Sequence, residues 1–240
     1  MGKKLIRVPA PVERALDAAL DKALAIQRPV VLGYLDRVRA KRPDATPDRV
    51  IAQLERRYLT AVVGIGGASG AAAAIPGVGT GAAVATGAAE IAGFVSATAM
   101  YVLAVAEVHG VPVSDPEVRR ALVLAVLLGE GATAALEGAA GHVPHWAQVI
   151  GRTTSREKIA GVNSRLAHLL LTRFGARQGA LLVGRALPLG IGAGIGAAGN
   201  AALARAAIAS ARRAFGPAPD RLAPRVIDVG PEETRRHRAK

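Results

Sequence analysis

The sequence predicts an all-α protein, a helical bundle around a glycine-rich apolar helical hairpin. Three observations carry this prediction. Apolar residues make up 51% of the chain and aromatic residues only 3%, with 28 glycines, which favours closely packed helices. Apolar residues recur at helical spacing in several segments, whereas no stretch alternates as a strand does. The length of 240 residues is sufficient to bury a sizeable core.

Two amphipathic helices are predicted ahead of the apolar region. Residues 11–40 carry apolar side chains near helical spacing, as one helix or as two joined at Pro29, since proline lacks the backbone donor. The Thr46-Pro47-Asp48 segment supplies an N-cap, a proline and an acid for the first turn of the second helix. That helix is predicted to continue without interruption beyond Tyr58.

A charge-free segment of 32 residues, from Tyr58 to Ala89, forms the predicted hairpin. Pro76 and its flanking glycines end a helix, so the arms are expected at 58–75 and 77–107. Small residues recur every four positions in both arms and again near the C-terminus, which allows helix backbones to approach closely. The predicted helix-packing residues are Gly66, Gly70, Gly77, Gly81, Gly93, Gly190, Gly194 and Gly196.

Two further helix starts are predicted in the C-terminal half. Residues 114–117 and 154–157 both have the Ser/Thr-x-x-Glu spacing of a capping box. A last Ala/Gly-rich helix is expected to end at Arg212 and Arg213. We therefore expect a flexible N-terminus at 1–10, a single helical domain at 11–215 and a disordered basic tail at 216–240.

The charge distribution is compatible with two interpretations: an anionic partner, or arginines that form the solvated face of amphipathic helices. The formal net charge is +13, and residues 151–215 carry ten basic side chains against the single acid Glu157. Anionic lipid fits this charge better than nucleic acid, because the few aromatics form no aromatic-basic pattern. The N-terminus lacks the apolar stretch of a secretory signal, and there is no cysteine, so the expected location is the cytoplasmic side of the cell membrane.

Spontaneous membrane insertion of the hairpin is predicted to be marginal. The strongly apolar residues of the first arm are worth roughly −1.5 to −3 kcal/mol together. Glycines and hydroxyls reduce that gain, and Glu90 in the second arm costs a few kcal/mol near a bilayer centre. A hairpin sheltered by amphipathic helices, able to lie against or enter a bilayer, is therefore expected.

Several ionisable or polar groups are candidates for burial. Glu90 lies among Ala and Gly and needs a buried partner, for which an arginine of the basic C-terminal region is the expected supplier. Glu107, His109 and Asp115 cluster at a helix end and loop, and Asn200 lies in the last helix. An acid/base role for Glu90, or for the other three ionisable groups, defines one enzyme hypothesis. No residue is predicted to be catalytic.

Cofactor and metal motifs are not supported by their context. Residues 194–199 match G-x-G-x-x-G, but no strand precedes them and Asp220 follows in a proline-rich tail. His142 and His145 lack a nearby third ligand, so a loop in which Trp146 docks on the bundle or at a lipid interface is the preferred interpretation. No nucleophile elbow, zinc-protease motif or Walker lysine occurs. No cofactor or metal is predicted.

Residues 55–215 resemble the EcsC family of bacterial proteins. The similar segments are the glycine-rich residues 64–70, the acid Glu90 within an apolar helix, residues 109–117 with their Asp-Pro-Glu ending, and residues 187–200 ending in Asn200. Glu90 stands where the family usually has Asp, Ala92 where it has Pro, and His109 where it has Tyr. The resemblance implies a membrane-associated accessory role and no catalytic residues.

Three function hypotheses follow. The first is a non-enzymatic protein of the bacterial cytoplasmic face, whose basic helices meet anionic lipid and which assists a transporter, an envelope process or its own self-association. The second is a soluble helical bundle whose hairpin inserts conditionally, as in pore-forming proteins. The third is a hydrolase that uses Glu90 or the group of Glu107, His109 and Asp115.

Overall fold

The computed structural model describes residues 10–73, 80–132, 145–152, 155, 157–170 and 191–222. The predicted all-α class is confirmed, because most of the described residues are helical and none of them forms a strand. In chain order the helices are α1 (Ala10–Lys41), α2 (Pro47–Ala73), α3 (Thr80–Val108), α4 (Pro116–Leu128), α5 (Trp146–Arg152), α6 (157–170) and α7 (Ile191–Phe215).

Helix α1 is one continuous helix, although the sequence left open a division at Pro29. It packs along α3 and buries Leu20, Val31 and Leu35. These buried residues lie on both sides of Pro29. Tertiary packing therefore stabilises both halves as one continuous helix, although Pro29 removes a backbone hydrogen bond.

Helix α2 begins at Pro47, as the N-cap pattern predicts. The Thr46 carbonyl accepts the backbone N–H of Val50, and a hydrogen bond with the Thr46 side chain lowers the pKa of Asp48 below its usual value. The helix then continues without a break to Ala73. The predicted first arm of the hairpin is thus the second half of a longer amphipathic helix.

Helices α2 and α3 pack against each other, and one aromatic contact fixes their register. The rings of Tyr58 and Tyr101 are stacked, with centroids 4.7 Å apart and planes 9° apart. The Tyr58 hydroxyl lies 2.9 Å from the Thr98 hydroxyl, which itself donates to the Phe94 carbonyl. Both tyrosines are buried. The predicted turn at Pro76 and Gly77 lies outside the described residues.

Helix α3 is the central helix of the bundle. It contacts α1, α2, α4 and α7, and its residues from Tyr101 to Val108 are all buried. Within it, the 20-residue segment Ala89–Val108 has a mean hydropathy of 1.8, and 72% of its most apolar window is buried inside the protein. Among the described residues this is the one segment long and apolar enough to cross a membrane.

Helix α4 starts where the sequence predicts, but its cap is a different residue. The N-cap is Asp115, whose Oδ1 accepts the backbone N–H of Glu117 at 2.8 Å, and Pro116 is the first helical residue. A cap at Ser114 would require helical geometry at Asp115, which the following proline disfavours. The capping box predicted at Ser114 is therefore wrong in register by one residue.

The later helices close the bundle. At the start of α6, Ser155 caps through Oγ, 3.5 Å from the Lys158 nitrogen, and Thr154 lies outside the described residues. The Asn163 side chain of α6 donates to the Glu117 carboxylate of α4 at 2.7 Å. After α7, the predicted tail starts at residue 216, but Leu222 still packs against the apolar core. Residues 223–240 lie outside the described part of the chain.

Candidate functional site

Two predicted helix-packing glycines, Gly66 and Gly196, approach each other where α2 packs against α7. A Cβ atom built on Gly66 would lie 2.5 Å from the Gly196 carbonyl oxygen and 2.5 Å from Asn200 Nδ2. Asn200 is buried, and its Nδ2 donates to the Val62 carbonyl at 3.2 Å. The absence of a side chain at Gly66 thus lets the α7 backbone reach α2, and Asn200 adds a polar link between the helices.

The other predicted packing glycines lie in α2, α3 and α7 or fall outside the described residues. A Cβ on Gly93 of α3 would lie 3.2 Å from Ile65 Cδ1 of α2, so this glycine lies in the α2–α3 contact. Gly70, Gly81 and Gly194 are helical, in α2, α3 and α7 respectively. Gly77 and Gly190 lie outside the described residues.

An ion pair joins α2 to the basic C-terminal region, but its acid is Glu55. Arg212 Nε lies 2.8 Å from Glu55 Oε1, and Arg212 Nη2 lies 2.6 Å from Oε2, which makes a bidentate pair. The side chain of Glu55 is 10% exposed and that of Arg212 67% exposed. Hydrogen bonding to Glu55 raises the pKa of Arg212. Glu90, for which such a partner was expected, is buried in α3.

The three ionisable groups of the enzyme hypothesis lie at the C-terminal end of α3 and at the start of α4. Asp115 is the cap of α4, so its Oδ1 already accepts a backbone N–H. His109 Nδ1 lies 2.9 Å from the Val105 carbonyl oxygen, which can only accept, so Nδ1 carries the hydrogen. The imidazole packs against the Phe215 ring, with centroids 5.3 Å apart. Glu107 is buried at the end of α3.

A cleft of about 550 Å³ lies between the N-terminal half of α2 and the C-terminal ends of α3 and α7. Glu55, Tyr101, His109, His145 and Arg212 are among its lining residues. Burial raises the pKa of Tyr101 well above its usual value, and the charge of Glu55 adds to that shift. Because the tyrosine stays protonated and the carboxylate is held by arginine, these groups do not form an acid/base pair.

A second cavity of about 290 Å³ lies between α1, α2 and α3 and is open to solvent along one side. We call it the α1–α3 groove. Its lining is mostly apolar, and the lining residues that carry polar side-chain atoms are Tyr34, Arg57, Tyr58, Ser96 and Tyr101. The Arg57 guanidinium lies 4.9 Å from the Tyr34 ring centroid. The sequence analysis did not identify this groove, because it forms where three helices diverge.

No metal or dinucleotide site forms among the described residues. No group of three His, Cys, Asp or Glu side chains comes together there. His142 lies outside the described residues, and His145 Nδ1 lies 3.4 Å from the Arg213 carbonyl. The G-x-G-x-x-G segment, residues 194–199, lies inside α7. Trp146 is buried at the start of α5, so it docks on the bundle.

In its described residues this protein is an all-α bundle that encloses an apolar, membrane-length helix. Comparison of the chain with protein-family models, curated proteins and solved structures gave no match. The resemblance to the EcsC family therefore stays a prediction.

Proposed function

We propose that this protein binds anionic membrane surfaces on the cytoplasmic face. In the conformation described, the other helices enclose α3, and α3 can insert into a bilayer only after the bundle opens. One observation carries the proposal. The segment Ala89–Val108 is long and apolar enough to span a bilayer, yet most of it is covered by the protein's own helices. A bundle of this kind presents charged helix faces to water while it retains a segment suited to hydrocarbon.

The register of α2 and α3 argues against spanning in the closed form. Stacking of Tyr58 on Tyr101 puts Glu55, Arg56 and Arg57 beside the last third of the apolar segment. Tyr101 lies seven residues before the end of that segment, or about 10 Å along a helix. A bilayer around α3 would therefore bring these charges into hydrocarbon at a cost of a few kcal/mol each. Helix α2 therefore has to move away from α3, and with it from α7, before insertion.

Exposed cations support attachment at the surface. Arg152, Lys158, Arg165 and Arg205 are exposed on α5, α6 and α7. Each basic side chain close to an anionic membrane contributes about 1 kcal/mol of attraction, which salt screens. Surface binding therefore depends on anionic lipid and weakens at high salt.

The Glu55–Arg212 pair is the contact whose loss favours opening. It connects α2 to α7 through two hydrogen bonds. Removal of the arginine leaves a largely buried carboxylate without its counter-charge, which destabilises the closed arrangement. If the EcsC resemblance holds, the opened form would serve an accessory role beside a transporter, in an envelope process or in self-association.

Flotation with liposomes tests the proposal. The wild-type protein is expected to float with vesicles that contain anionic phosphatidylglycerol, to stay behind with neutral phosphatidylcholine, and to be released by high salt or alkaline carbonate. Arg212→Gln is expected to leave a larger fraction that resists carbonate. Arg213→Gln is the matched control, because it removes the same charge from an exposed neighbouring position.

The alternatives give different outcomes. Resistance of the wild-type protein to carbonate would show a constitutively embedded protein. If the two variants resist carbonate to the same extent, loss of the Glu55–Arg212 pair does not favour opening of the bundle. If the protein does not bind anionic vesicles at neutral or at mildly acidic pH, the proposal of membrane binding is wrong.

A further inference from the structure

We infer that the α1–α3 groove is a binding site for a single-chain carboxylate, such as a fatty acid. This inference does not depend on the proposed membrane function. It rests on three features of the groove: its apolar lining, and, within the described part of the chain, a buried hydroxyl without a hydrogen-bond partner and a cation without an acidic partner.

The lining of the groove suits a hydrocarbon chain. Val31 of α1, Leu54 of α2 and Ala104 of α3 are buried and line it, and Met100 is an exposed apolar residue that also lines it. Its volume of about 290 Å³ lies just below the usual range for ligand sites, roughly 300–1,000 Å³. A cavity of this size accommodates part of one chain and has no space for a two-chain lipid.

The polar atoms of the groove identify the head group. Tyr34 Oη is buried and has no hydrogen-bond partner among the described residues. Burial of an unpaired hydroxyl costs about 1–3 kcal/mol, so a ligand atom that accepts its hydrogen bond restores that loss on binding.

Arg57 provides the counter-charge for such an acceptor. Its guanidinium lies over the Tyr34 ring, it is exposed, and no acidic side chain of the described residues pairs with it. A carboxylate has two oxygens, one for the hydroxyl and one for the guanidinium. A phosphate monoester brings more negative charge than this one cation neutralises.

Isothermal titration calorimetry with dodecanoate, below its micelle-forming concentration, tests the inference. Dodecanoate is expected to bind, and dodecanol and dodecylammonium are expected to bind at least about tenfold more weakly, because they lack the anionic head. Dodecyl phosphate and a lysophospholipid with the same tail separate a free carboxylate from other anionic amphiphiles. If either binds more tightly than dodecanoate, the carboxylate assignment is wrong.

Variants separate ligand binding from folding. Arg57→Gln and Tyr34→Phe are each expected to weaken dodecanoate binding about tenfold or more. Tyr34→Phe also removes the unpaired hydroxyl, so the ligand-free protein should keep or increase its thermal stability, whereas a purely structural tyrosine would lose stability. The matched control is Arg56→Gln, which changes the preceding residue of α2 and lies outside the groove. This variant should bind dodecanoate as the wild type does.

A blocking variant covers the case in which the polar substitutions disturb the fold. Ala61 is exposed and lines the groove, so Ala61→Leu adds bulk there without entering the core. It should abolish binding of every single-chain probe. Absence of a binding heat with dodecanoate in the wild-type protein, or unchanged binding in both Arg57→Gln and Ala61→Leu, would overturn the inference.

Discussion

Replacement of Gly66 by alanine tests the close contact of α2 and α7 directly. The new methyl group would lie 2.5 Å from the Gly196 carbonyl oxygen, a backbone atom that cannot move away alone. It would also lie 2.5 Å from Asn200 Nδ2. The two helices must therefore separate, and the hydrogen bond from Asn200 to the Val62 carbonyl is lost with that movement.

The magnitude follows from opposing contributions to the free energy of unfolding. Forced overpacking costs about 1–3 kcal/mol, and the loss of a buried hydrogen bond that leaves its groups unpaired costs about 1–3 kcal/mol more. Replacement of glycine by alanine within a helix raises the free energy of unfolding by about 1 kcal/mol, which offsets part of these costs. Gly66→Ala should therefore destabilise the protein by about 1–5 kcal/mol.

Gly64→Ala is the matched control on the same helix. A Cβ at Gly64 meets nothing within 4 Å, so this variant should gain about 1 kcal/mol from helix propensity alone. Urea denaturation followed by circular dichroism measures both variants against the wild type. If Gly66→Ala proves as stable as Gly64→Ala, the close backbone approach of α2 and α7 does not exist in solution.

Two further predictions concern the cap of α4 and the buried tyrosine pair. Asp115→Ala should lower the free energy of unfolding by about 1 kcal/mol, whereas Ser114→Ala should change it by less than about half of that. Urea denaturation measures both variants. If Ser114→Ala is the more destabilising of the two, Ser114 is the cap and Asp115 is not. Burial raises the pKa of Tyr58 to about 12 in the folded protein, so its stabilising contribution is complete below the ordinary value of 10 and is lost as the pH rises towards 12. Tyr58→Phe should therefore flatten the alkaline loss of stability in this interval, and an identical decline in both proteins would count against the buried hydroxyl.

The parts of the fold that depend on local spacing could be predicted from the sequence. The small-residue repeat of the first arm places Gly66 on a helix face that can approach closely, and the structure brings it against Gly196. Gly196 is a predicted packing glycine, but it lies two positions away from Gly194 and is not part of the predicted four-residue repeat. The start of α2 follows from Thr46 and Pro47, because caps and first-turn prolines act on their own helix ends. Local rules of this kind need no knowledge of the tertiary structure.

Other features were missed for identifiable physical reasons. The residue before Pro116 is held out of helical geometry, and this rule would have favoured Asp115 over Ser114 as the cap. The partner of Arg212 could not be deduced, because Glu55 lies 157 positions away and their contact depends on how α2 and α7 align. One signal was available: Glu55 is the last acid before the charge-free segment, next to the buried Leu54.

The central position of α3 has a consequence for synthesis of the protein. Helix α3 ends at Val108 and α7 begins only at Ile191, 83 positions later. At about 5–20 residues per second, the ribosome completes α3 roughly 4–16 s before the first residue of α7 is made. Of the helices that contact α3, α1, α2 and, once it is made, α4 are available during this interval to cover the apolar helix. A chaperone that meets the nascent chain can therefore contact the apolar helix before α7 covers it.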